Sequence, residues 1–117
     1  MVTKYPVPLK KIVEKHNLEP LHLSKDYENA VITTMDINRP ALQLAGFYNY
    51  FDPNRIQVIG RVESTYLETL SHSERLSAFE TFFRTGLSAL VLCHGVVPFP
   101  SCLEMAVLCN ETPDRGL

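Results

Sequence analysis

Asp36, Asn38 and Arg39 place a carboxylate, an amide and a forked guanidinium within one short polar stretch. Such a set offers complementary acceptors and donors to a small polar ligand. A competing reading has Asp36 and Asn38 satisfying the turn's own backbone while Arg39 pairs with a nearby carboxylate. His94, beside Cys93, follows an apolar run, where a general base or metal ligand could sit. Adjacent strand residues point to opposite faces, however, so Cys93 and His94 do not readily form a nucleophile and base pair. His16, His22 and His72 lie in unrelated settings without metal-ligand spacing. The phosphate loop G-x-x-x-x-G-K-[ST] is absent, because none of the five glycines is followed by lysine. No G-x-G-x-x-G, G-x-S-x-G or H-E-x-x-H occurs either.

The elements that would position these residues can be read from periodicity. Residues 1–7 suggest a loose arm, followed by a short amphipathic helix over about 8–17, with Pro8 at its first turn and Leu9, Ile12, Val13 and His16 at helical spacing. Leu18 to Leu23 suggest a short extended segment before the polar turn 24–26. Residues 30–34 are β-branched and bounded by turn residues, which predicts a strand. It leads into the polar loop 36–40, then a short helix over 41–45 that stops at Gly46. A buried strand is predicted over 56–60, helices over 62–70 and 73–85, and a second buried strand over 87–93. Ser71 with Glu74 has capping-box spacing, as does Ser101 with Glu104, and Val107-Leu108-Cys109 reads as a last strand.

Strands alternating with helices imply an α/β fold with a mostly parallel or mixed sheet covered by helices on both faces. Ligands in such sheets usually sit beyond the carboxyl ends of the strands, which singles out the loops 36–40, 61–64 and 94–98. The aromatic cluster Phe47, Tyr48, Tyr50 and Phe51 reads as core and interface filling.

At 117 residues the chain fits one domain, with an atypical polar tail over about 110–117. A net charge of −2 provides no basic footprint for a nucleic acid. The charge is uneven: residues 1–61 hold eight Lys and Arg against six Asp and Glu, and residues 62–117 hold three against seven, which reads as an acidic solvated helix face. Cys93, Cys102 and Cys109 form no C-x-x-C pair and lie in or beside apolar runs, as buried thiols in a reducing cytoplasm would. No window has the length of a membrane span and no signal-peptide pattern is present.

The stretch from Asp36 to Phe51, DINRPALQLAGFYNYF, resembles the D-I-N-R-P-G-L-x-L-x-G-[YF]-x-x-Y-F signature of HPr(Ser) kinase/phosphorylase. Asn54 to Gly60, Glu63 and Tyr66-Leu67 follow at that family's spacing, and the likeness runs from Leu9 to Gly95. Ala41 stands where the family usually has glycine, and the chain departs from its pattern after Val107.

The resemblance implies a cytoplasmic regulator of carbon metabolism, homo-oligomeric, whose partner is the phosphocarrier HPr. It also implies an amino-terminal domain similar to that of the muramyl-peptide ligases. In that family ATP and magnesium bind the kinase domain, whose phosphate loop this chain does not contain, so no catalytic residue carries over and no cofactor is expected here. The expectation is a regulatory or assembly domain of that enzyme. Its alternative is a free-standing sensor binding a nucleotide or phosphosugar at Asp36, Asn38 and Arg39.

Overall fold

Residues 2–34, 36–93 and 95–111 are described in the computed structural model of the chain. The elements in chain order are β1 (Val2–Pro8), α1 (Leu9–Lys15), a 3-10 turn (Tyr27–Asn29), β2 (Val31–Thr34), β3 (Ile37–Asn38), α2 (Ala41–Leu44), β4 (Ile56–Ile59), α3 (Arg61–Glu68), α4 (His72–Phe83), β5 (Ala89–Leu92) and α5 (Pro100–Glu111). The expected α/β class with a mostly parallel sheet is present. A three-stranded parallel sheet, in the order β3-β4-β5, accompanies an antiparallel pair, β1-β2.

The central strand β4 explains most of the architecture. Its in-register partners are Asn38 and Leu90 at Gln57, and Leu92 at Ile59. Neighbours in register share a face, so Asn38, Gln57, Ile59, Leu90 and Leu92 point one way, and Ile37, Ile56, Val58, Ala89 and Val91 the other. The first face carries the core: Ile59 meets Leu44 of α2, Leu67 of α3, Phe79 and Phe82 of α4 and Cys102 of α5, with Leu90, Leu92 and Phe51 packed around them. Phe51 lies 6.2 Å from Phe82 and 5.5 Å from Tyr48 in an edge-to-face contact. The aromatic cluster thus divides. Tyr48 and Phe51 fill core space, Phe47 is half exposed and Tyr50 is fully exposed.

Helix ends obey local chemistry. At the end of α2 the Phe47 amide donates to the Leu42 carbonyl and the Gly46 amide to the Gln43 carbonyl, both at 2.9 Å. This double closure needs a left-handed residue, which Gly46 supplies at φ 102°. Ser71 and Glu74 form the expected capping box: the Glu74 amide donates to Ser71 Oγ at 3.1 Å, and the Ser71 amide to Glu74 Oε1 at 2.8 Å. Ser71→Ala is expected to cost about 1 kcal/mol in denaturant unfolding, through the lost cap alone. Arg75 then closes the preceding helix, donating through Nη1 to the carbonyls of Leu67 and Leu70, while its guanidinium lies 4.8 Å from the Phe99 ring centroid. One side chain thereby ties the end of α3 to the start of α5.

Four expectations are corrected. The arm over 1–7 is strand β1, paired antiparallel to β2 with Val7 opposite Ile32 and Pro8 opposite Val31. Such pairing is non-local and leaves no mark on the arm's own periodicity. Val107-Leu108-Cys109 is helical, within α5, and Ser101 is a fully buried residue of that helix instead of its cap. An apolar run of three cannot distinguish a strand from a buried helix. Cys93 is exposed, whereas Cys102 and Cys109 are buried as expected.

Candidate functional site

Parallel pairing brings the carboxyl ends of β3, β4 and β5 together, and with them Arg39, Gly60 and Cys93. Arg39 and Glu63 are 24 residues apart, yet form a two-pronged ion pair: Nε donates to Oε2 at 3.1 Å and Nη2 to Oε1 at 2.7 Å. Glu63 is the third residue of α3, and its Oε1 also accepts the Gly60 amide at 2.8 Å. The carboxylate therefore caps its own helix and clamps the guanidinium at once. Its side chain is 2 % exposed, while that of Arg39 is 49 % exposed, so the pair runs from the interior to the surface.

Burial alone would push the Glu63 carboxyl upward. The Arg39 guanidinium, together with the amides of Gly60 and of Glu63 itself, outweighs that effect and holds it below the usual carboxylate range. The same hydrogen bonds raise Arg39 further above its ordinary value. This closeness favours glycine at position 60, since any side chain there would have to displace the clamped guanidinium. A Cβ at that position would stand 2.5 Å from Arg39 Nη2 and 3.6 Å from Cys93 Sγ.

Beyond these strand ends opens a cleft of about 710 Å³. Arg39 lines it together with Arg61, Ser64, Thr65 and Glu68, which share one face of α3 at helical spacing, and so does the apolar segment Val96, Val97, Pro98 and Phe99. Arg61 makes no ion pair among the described residues. The polar lining is rich in donors, which suits an acceptor-rich ligand. Among the described residues no group of three or more His, Cys, Asp or Glu is placed to hold a metal ion.

Asn38 and Arg39, two of the three residues singled out from sequence, do not converge. Arg39 lines the cleft. Asn38 turns into the protein, where its Nδ2 donates to Gln43 Oε1 at 3.0 Å and Gln57 Oε1 at 2.7 Å. The Asp36 amide donates to Thr34 Oγ1 at 3.2 Å. Of the competing reading, the pairing of Arg39 with a carboxylate is what the structure contains. His94 lies outside the described residues. Sequence reasoning missed Glu63 as the partner of Arg39, although Gly60 followed three residues later by Glu63 carries the spacing of a helix cap. The loop expected over 61–64 is the first turn of α3, as the helix expected over 62–70 required.

The family model described as HPr Serine kinase N terminus matches residues 7–111. An HPr kinase/phosphorylase from Lachnoclostridium phytofermentans is 38% identical over 103 residues, covering 88% of this chain and 33% of its own length. One from Clostridium perfringens is 42% identical over 100 residues, covering 86% of this chain and 32% of its own. One from Streptococcus thermophilus is 36% identical over 90 residues, covering 77% and 29%. The chain thus spans about a third of the length of the curated relatives it matches. With strand ends, capped helix and ion pair all inside the matched region, the chain belongs to the HPr serine kinase amino-terminal family.

Proposed function

We propose that this domain regulates and assembles an HPr kinase/phosphorylase, acting through contacts between copies and with a kinase domain. The observation that supports this most directly is the match of residues 7–111 to the family model of the HPr serine kinase amino terminus, beside likeness to about a third of the length of enzymes named HPr kinase/phosphorylase. In this reading the whole enzyme uses ATP and magnesium in its kinase domain, modifies a serine of HPr in the cytoplasm and serves carbon catabolite regulation. The domain itself contributes no catalytic group.

The natural gene product, detected in cell extract with an antibody against this domain, tests the reading. A band two to three times larger than 13.3 kDa is expected. Sedimentation of that product should then give a multimer, and a monomer at all concentrations would remove the assembly role. A band at 13.3 kDa would instead favour the second reading, a free-standing sensor for a nucleotide or phosphosugar. What favours that reading is the open cleft beside Arg39.

A further inference from the structure

We infer that the cleft at the strand ends binds a phosphomonoester of sugar-phosphate to nucleotide size, its phosphate held between Arg39 and Arg61 and its body against the segment from Val96 to Phe99. The inference rests on the ligand-sensor reading and gives it a location and a chemical class.

The size is right for such a ligand, since small-molecule sites usually measure roughly 300 to 1,000 Å³ and this cleft measures about 710 Å³. Its position beyond the carboxyl ends of parallel strands is where α/β sheets place ligands. The amide of Gly60 is already taken by Glu63. Side chains along the cleft supply further donors. Glu63 occupies Nε and one N–H of Nη2 on Arg39, leaving Nη1 and the outer N–H of Nη2 as a second edge. That edge is held in a fixed orientation by a buried carboxylate, so little freedom is lost when an anion meets it.

Arg61 adds from α3 a guanidinium that makes no ion pair among the described residues, and Ser64 and Thr65 add hydroxyls from the same helix. Donors arriving from two elements suit a tetrahedral dianion with three terminal oxygens better than a planar carboxylate. Glu68, at the end of that helix, opposes the charge. The lining residues Val96, Val97, Pro98 and Phe99 offer apolar contact to a sugar or base and nothing to a bare ion.

The test is amide chemical-shift titration of the 117-residue chain with glucose-6-phosphate, adenosine monophosphate, their dephosphorylated forms and inorganic phosphate. Saturable shifts over residues 60–65 and 95–99 are expected with at least one phosphorylated compound, and none with glucose or adenosine. Arg61→Ala, an exposed position, should keep the melting temperature and weaken binding about tenfold or more, the usual scale for a charged hydrogen bond. Glu68→Gln should tighten it, and added salt should weaken it.

Absence of saturable binding by every compound at millimolar concentration would overturn both the site and the sensor reading. Binding that survives Arg61→Ala and Arg39→Lys unchanged would overturn this site while leaving a sensor elsewhere on the chain. Inorganic phosphate binding as tightly as the organic phosphates would overturn the assigned ligand class.

Discussion

Arg39→Ala is expected to lower the melting temperature by on the order of 10 °C, and Glu63→Gln, at the other end of the same ion pair, by less than half as much. The asymmetry follows from geometry. Removing Arg39 strands an ionised carboxylate that is 2 % exposed, whereas removing the Glu63 charge leaves a guanidinium that is half in water. Glu63→Gln also keeps a carbonyl oxygen to accept the Gly60 amide. Combining the two substitutions should recover part of the loss, because the stranded charge is then gone.

Thermal melts across pH separate this account from a simple packing defect. A carboxyl whose folded value lies below its unfolded one contributes stability that is complete above the unfolded range, about pH 4.3, and is lost as pH falls through the folded value. Wild type should therefore lose that contribution on acidification. In Arg39→Ala, burial of Glu63 without its partner acts in the opposite direction and favours the protonated form. The gap between the two proteins should narrow as pH falls from neutrality towards 4. A gap independent of pH would mean that the cost lies in lost contacts and not in the stranded carboxylate.

Glu63 also shows why some of the site was legible in the sequence and some was not. The strands at β2, β4 and β5 and the helices α2 to α4 announce themselves by local pattern, and the stop at Gly46 and the start at Ser71 by residue chemistry. Arg39 was recognisable as a guanidinium in need of an anion. Its partner was not, since the pairing of two residues 24 apart depends on β3 lying beside β4 in parallel register. The same limit hid the pairing of β1 with β2. Cys93 was misjudged for a related reason: the apolar run that precedes it ends at β5, one residue short, so the thiol stands beyond the sheet. Grouping Asn38 with Arg39 as one ligand-facing loop overlooked that Ile37 and Asn38 are themselves a strand, whose alternation sends Asn38 to the core face while Arg39, beyond the strand's end, lines the cleft.

That alternation makes Asn38→Leu the second large effect. Asn38 Nδ2 is the donor shared by two amide oxygens, those of Gln43 and Gln57, and both glutamines are buried, Gln57 completely. Their own amide nitrogens are engaged elsewhere, with Gln43 donating to the Phe47 carbonyl and Gln57 to the Arg55 carbonyl. Neither can rotate to compensate without breaking a bond to the backbone. Leucine at position 38 would leave both oxygens unmet, at about 1 to 3 kcal/mol each, so a loss of roughly 2 to 6 kcal/mol is expected in denaturant unfolding. The control is the cycle with Gln57→Leu. If the cost is that of stranded acceptors, removing one of them together with its donor makes the double substitution cheaper than the sum of the singles by about 1 kcal/mol or more. Strict additivity would instead assign the loss to shape, and Asn38 would be a packing residue whose amide contributes nothing.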